Sequence, residues 1–287
     1  MDILVLDTYR IYKEMLLLSE EQREDFFNKS IVEPFDVLLK LTSMPRKPEM
    51  LSCLPLSGQD SITFLIFECL KENDIWEKAK TSIEKSIHSF EKKGIKLFDN
   101  LIVAILPGDK QLLSLSEGYT GIGSIPGYIM LVIAPDENNV KKFPACVAHE
   151  FHHNVLFNNF IWDYSSISLS QYLAIEGLAE SFSEDLYGSE TVGPWVSSTI
   201  GEMLENAKKI IGINLNVKGF MNVNRYMYGK HPMFAGSESV DLPYCAGYAV
   251  GYHAVQKYVK DRNTDVIQAT IDFINKIDIV KESGYFE

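Results

Sequence analysis

The run His149-Glu150-Phe151-His152-His153 constrains this chain more than any other stretch. Two histidines four positions apart share one face only when the backbone between them is helical. Held so, both imidazoles can reach a single divalent ion, each nitrogen about 2.0–2.1 Å from it. Glu150, beside the first histidine, then projects next to the ion, where it can take a proton from a bound water. The pattern predicts a helix that starts between Val140 and Pro144 and runs to about Asn158, because proline is tolerated only in the first turn. Asp136-Glu137-Asn138-Asn139 supplies capping material ahead of it. At about 100° per residue, Phe143, Val147, Phe151 and Val155 form an apolar stripe. Cys146, His149, Glu150 and His153 follow its edge, between core and cleft. His152 falls off that edge and reads as a surface residue or a support behind the ligands, and Cys146 as a small buried hydrophobe.

Two histidines do not complete a catalytic zinc site, which usually has three protein ligands and an open fourth position. A second helical pattern, Leu173-Ala174-Ile175-Glu176-Gly177-Leu178-Ala179-Glu180-Ser181-Phe182, offers the missing carboxylate. Its apolar face is Ile175, Leu178, Ala179, Phe182 and Leu186, with Glu176 and Glu180 along the adjacent edge. The loop through Ser165 to Ser170 allows an antiparallel return that delivers Glu176 to the metal. Glu180, one turn on, then accepts a hydrogen bond from the far nitrogen of a ligating histidine and fixes its tautomer. The reverse assignment of the two glutamates stays open, as does a plain solvated face.

Strand signals lie between the N-terminal helices and the motif helix. Leu101-Ile102-Val103-Ala104-Ile105-Leu106 before Pro107-Gly108, and Tyr128-Ile129-Met130-Leu131-Val132-Ile133-Ala134 before Pro135-Asp136, read as buried strands. The stretch Gly118-Tyr119-Thr120-Gly121-Ile122-Gly123-Ser124-Ile125-Pro126-Gly127 precedes a strand and does not open a helix, so it does not fit a phosphate cradle. It fits a strand or hairpin at the edge of an active-site cleft. From Tyr9 to about Leu97 the pattern is mostly helical, with charge runs that read as solvated faces, interrupted by a connector from Ser43 to Asp60 that holds Pro45, Pro48, Pro55 and Gly58.

The chain has 287 residues, 46% of them hydrophobic, enough for a substantial core. A net charge of −12 argues against a nucleic-acid surface and against a basic membrane-binding face. The opening residues show no export signal, and no apolar run is long enough for a membrane span. The four cysteines, Cys53, Cys69, Cys146 and Cys245, show neither a C-x-x-C pair nor regular spacing, which suits a reducing cytoplasm.

The two motifs together, His149 to His153 and Glu176-Gly177-Leu178-Ala179-Glu180, resemble the gluzincin arrangement of thermolysin-type metallopeptidases. More closely, they resemble the YjaZ-like bacterial family of predicted zinc-dependent proteases, over roughly Leu101 to Val259. The glycine-rich stretch and Ala246-Gly247-Tyr248-Ala249-Val250-Gly251-Tyr252 fit that likeness. It implies an α+β, mostly helical fold: a zincin-like core with a small mixed sheet whose edge strand lines the cleft, an active-site helix and a helical C-terminal lobe. The expected division is an N-terminal helical region over 1–97, the core over 98–190 and the C-terminal lobe over 191–287.

It also implies one Zn²⁺ per chain, a peptide or protein substrate, and a donor for the oxyanion. Tyr248 is the first candidate for that donor and Tyr252 the second, since related oligopeptidases use tyrosines of a glycine-tyrosine helix this way. Core packing is the other reading of both, and His231 and His253 are outside candidates. The chain lacks the G-x-M-E-N signature of gluzincin aminopeptidases. Two rival functions remain at this stage: a catalytically silent metal protein that holds a peptide or partner, and a metallohydrolase of a non-peptide amide or ester.

Overall fold

The structure, a computed structural model, describes residues 1–230 and 240–287. The fold is α+β and mostly helical, with one small mixed sheet of four strands in the order β1-β2-β4-β3. The strands are β1 (Asp2–Val5), β2 (Asn100–Pro107), β3 (Tyr119–Ile122) and β4 (Tyr128–Ile133). Helices α1 (Thr8–Met15), α2 (Glu20–Phe27), α3 (Asp36–Leu41), α4 (Asp60–Glu72) and α5 (Ile75–Glu91) precede β2. Helices α6 (Asn139–Asn159) and α7 (Leu169–Tyr187) carry the sequence motifs. They are followed by α8 (Pro194–Ser197), α9 (Gly201–Gly212), α10 (Phe220–Tyr228), α11 (Ala246–Asp261), α12 (Val266–Ile274) and α13 (Ile279–Glu282).

The chain divides into two compact units. The first comprises Met1–Ile87 and Leu97–Val155 and contains the whole sheet. Its central strands are parallel to each other, with Ile102 opposite Tyr128 and Leu106 opposite Val132. Both are buried along nearly their whole length, which explains why they read as unbroken apolar runs and not as alternating ones. β3 pairs antiparallel with β4 at one end of the sheet, Gly121 opposite Leu131. β1 pairs parallel with β2 at the other end.

The N-terminal region, helical by its pattern, thus also supplies a strand that four residues of weak periodicity do not announce. Side chains tie these helices to the sheet and to each other. The Thr8 hydroxyl donates to the Ile105 carbonyl and accepts from the Trp76 indole. Tyr12 and Phe67 pack at 4.7 Å between ring centres. The buried Arg23 guanidinium grips both oxygens of Asp60 at 2.7 Å and also donates to the Leu16 and Leu56 carbonyls.

The second unit comprises His88–Lys96 and Leu156–Glu287. α7 begins in a capping box: Ser168 accepts from the Gln171 backbone N–H, and the Gln171 side chain accepts from the Ser168 N–H. α7 is buried from Leu169 to Ser183 except at Gln171. α11 packs along it with backbone against backbone. A Cβ at Gly177 would stand 2.4 Å from the Gly251 carbonyl oxygen, and one at Gly251 would stand 2.3 Å from that of Leu173. Only glycines allow this approach, and Gly177 directly follows Glu176.

Gly251→Ala gains helix propensity worth up to about 1 kcal/mol but must push α7 away. It is expected to lower stability by about 1–3 kcal/mol in chemical denaturation. An unchanged or raised stability would show that the two helices do not depend on this contact.

Candidate active site

α6 carries the His149–His153 motif and is longer at its start than the sequence pattern indicates. Asp136 Oδ1 accepts from the backbone N–H groups of Asn138 and Asn139, which opens the helix at Asn139. Pro144 therefore lies inside the helix and not in its first turn. The histidine rings take the arrangement expected of a ligand pair, with Nε2 of His149 and Nε2 of His153 3.1 Å apart. Two nitrogens bound tetrahedrally to one zinc would stand about 3.3 Å apart, given bonds of about 2.05 Å.

Among the described residues, one group of histidine, cysteine and carboxylate side chains could hold a metal ion: His149, His153 and Glu176. Their candidate ligand atoms all lie within 4.8 Å of one another. Two imidazoles and a carboxylate are a donor set suited to zinc. All are largely buried, His149 at 4% exposure, His153 at 6% and Glu176 at 7%. No helix among the described residues is long and apolar enough to cross a membrane.

Glu150, 6% exposed, lies against the edge strand β3. A Cβ at Gly121 would meet its Cγ at 2.5 Å and its Oε1 at 2.6 Å, and a Cβ at Gly123 would meet its carbonyl oxygen at 2.3 Å. The glycine-rich stretch is thus the hairpin edge the sequence suggests. Asn154 laces the hairpin to the helix. Its Nδ2 donates to the carbonyls of Gly123 (2.7 Å) and Tyr128 (3.0 Å), and its Oδ1 accepts from the Gly127 N–H at 2.7 Å. His152 is not a surface residue: it is fully buried, because α6 is covered on all sides from Ala145 to Leu156. Cys146 is buried, as its small size suggests.

In the second unit, Glu180 accepts from the Gly193 N–H at 2.6 Å and from the Trp195 indole at 2.8 Å. Each carboxylate oxygen has two lone pairs, so these bonds leave capacity for another donor. Tyr252 donates to Glu184 at 2.7 Å, a carboxylate that also accepts from Gln256. Tyr248, half-buried, donates to the Tyr228 hydroxyl at 3.2 Å, and the Tyr172 and Tyr228 hydroxyls are again 3.2 Å apart.

Burial pushes all three of these phenols up in pKa, Tyr228 to about 12, and the nearby Glu176 carboxylate adds to the rise. The shift of Tyr252 comes from burial and from Glu184. His253 packs against Tyr252 and Tyr285, and burial lowers its pKa. His231 lies outside the described residues. Sequence reasoning missed Tyr172, Tyr228, Asn154, Gly193 and Trp195. Only Asn154, adjacent to the motif, carried a signal that could have drawn attention.

Residues 75–279 match the family described as "Predicted Zn-dependent protease (DUF2268)". The chain belongs to that family. It is also 33% identical over 305 aligned residues to the uncharacterized protein YjfC of Bacillus subtilis (strain 168), covering 100% of this chain and 99% of that one. No solved structure matches.

Trp195→Phe keeps the ring but removes one of the two described donors to the buried Glu180 carboxylate. A hydrogen bond to a charged group contributes about 1.5–3 kcal/mol, and a loss of that size is expected in urea unfolding. The loss should shrink when Glu180 has first been changed to Gln. Equal losses in both backgrounds would show that the indole acts by packing alone.

Proposed function

We propose that this chain is a gluzincin-like zinc peptidase that cleaves peptide or protein substrates. His149, His153 and Glu176 would hold one Zn²⁺, and the observation that carries the reading is the convergence of their ligand atoms on one buried point. When bound, the ion supplies a Lewis acid and brings the pKa of a water on it towards 7.

The remaining steps belong to the chain's own residues. Glu150 takes a proton from the attacking water as general base and delivers it to the leaving amine as general acid. Its place against the backbone of β3 limits the directions in which the carboxylate can swing. Glu180 orients a ligand histidine by accepting from its far nitrogen, while Gly193 and Trp195 hold the carboxylate still. Tyr248 donates to the oxyanion that forms on the attacked carbonyl. It is favoured over Tyr252 because its bond to the Tyr228 hydroxyl, at 3.2 Å, is easier to exchange than the bond of Tyr252 to the Glu184 carboxylate, at 2.7 Å.

The site acts on neither nucleic acid nor membrane in this reading, in keeping with the net charge of −12. The described cysteines are free thiols, which supports a cytoplasmic setting.

Elemental analysis of the purified, zinc-loaded protein should find about one zinc per chain, and His153→Ala should lose it. Failure to bind zinc would remove the basis of the reading. Glu150→Gln should keep the metal and lose at least about a hundredfold in peptide turnover. Near-normal turnover by a zinc-loaded Glu150→Gln protein would defeat the assigned base.

A further inference from the structure

The β3–β4 hairpin meets α6 more closely than side chains allow. At Gly121 the obstacle to a Cβ is the Glu150 side chain itself, with Cγ at 2.5 Å, Oε1 at 2.6 Å and Cδ at 2.8 Å. At Gly123 it is the Glu150 main chain, with the carbonyl oxygen at 2.3 Å and the carbonyl carbon at 2.8 Å. The strand backbone therefore lies on the residue from its Cβ outward to its carboxylate.

Asn154 holds that contact shut. It lies one turn after Glu150 and is fully buried. Both ends of its amide are engaged by the connection between β3 and β4 and by the first residue of β4, through the Gly123 and Tyr128 carbonyls and the Gly127 N–H. Its Nδ2 also lies 3.3 Å from the Glu150 carbonyl. A hairpin end fastened at three backbone points cannot drift from the helix without breaking buried hydrogen bonds.

We infer that Gly121 and Asn154 are positioning residues for Glu150: the absent side chain at Gly121 makes the space in which the carboxylate stands, and Asn154 fixes the strand that bounds it. This inference rests on the reading of Glu150 as general base. Gly121 then serves the reaction by what it lacks, and a side chain there would displace a catalytic group without touching a metal ligand. For the Glu150 Oε1 to regain an ordinary contact of 3.4 Å from a Cβ at Gly121, it must move by about 0.8 Å. A displacement of that order at a reacting group can cost up to about a hundredfold in rate.

The test is a double-mutant cycle on the full-length, zinc-loaded protein, combining Gly121→Ala with Glu150→Ala, which removes the Cγ, Cδ and Oε1 atoms that the new Cβ would meet. Zinc content, thermal midpoint and the kcat and KM of a short peptide are read for all four proteins. Gly121→Ala is expected to keep its zinc, lower kcat at least about tenfold with KM within about threefold, and lower the midpoint. That fall would go against the general preference for alanine over glycine in a strand.

Glu150→Ala, itself inactive under the assigned role, should restore at least half of the midpoint lost to Gly121→Ala. Additive effects on the midpoint would overturn the inference, as would a Gly121→Ala defect confined to KM, the mark of a role in substrate pairing. If Gly121→Ala does not fold, the double variant should. Failure of both would place the contact in the folding of the sheet and also overturn the inference. Asn154→Leu, which removes all the amide bonds, should lower kcat in the same direction, and unchanged kcat in a folded, zinc-replete Asn154→Leu protein would remove Asn154 from it. Absence of wild-type turnover would defeat the functional reading alone, since the midpoint coupling still decides whether Gly121 shapes the Glu150 carboxylate.

Discussion

A helix buried on every side from Ala145 to Leu156 has to answer for the polar groups it carries, and here these are three imidazoles, a carboxylate and a primary amide. Leaving such a group without a partner costs about 1–3 kcal/mol, and more if it is charged. A sequence that only had to pack would avoid this. The amide of Asn154 answers by taking the hairpin backbone as its partner. His149 and His153 turn their Nε2 atoms towards one point, an arrangement that two neutral rings satisfy with a single proton and that a shared cation satisfies better. The sheet edge, the fastening of the hairpin and the burial of the motif all follow from placing reactive groups inside the protein and not on it.

Both units use the same device beside a carboxylate. In the first, β3 and the residue after it come down on Glu150 through Gly121 and Gly123. In the second, α7 and α11 meet through Gly177 and Gly251, and Gly177 is the neighbour of Glu176. Omitting a Cβ lets backbone approach backbone, and the position of the adjacent carboxylate is then fixed by main chain, which moves less than side chains do. A site held to a fraction of an ångström needs such rigid support.

This also explains what was legible beforehand. Hydrophobic period and capping residues are local signals, so α6, α7, β2 and β4 could be read within a few residues, and the glycine-rich stretch could be read as an edge hairpin. A helical wheel shows one buried stripe and cannot show that the opposite face is buried as well, so of the two readings of His152 the surface one fails and the one that makes it a support behind the ligands is left standing. Pro144 lies inside α6 because the cap formed by Asp136 starts the helix earlier than proline chemistry alone suggests. β1 has too few residues to show a period, and its pairing with β2 spans most of the N-terminal region. Tyr172, Tyr228 and Tyr248 come from α7, α10 and α11, so nothing in their spacing brings them together.

The row Glu176, Glu180 and Glu184 on α7 shows how the second unit separates similar groups into different roles. Like charges one turn apart destabilise an isolated helix. Here each has its own surroundings: Glu180 has the Gly193 N–H and the Trp195 indole, Glu184 has Tyr252 and Gln256, and Glu176 has the tyrosine cluster around it. Fixed donors answer the last two members of the row and hold each carboxylate in position. Glu176 acts on its neighbours instead. Burial, with the Glu176 carboxylate adding to it, raises the phenols of Tyr172, Tyr228 and Tyr248 above their ordinary pKa. A phenol held neutral keeps its proton and can still donate a hydrogen bond, the property that a developing oxyanion requires of its partner.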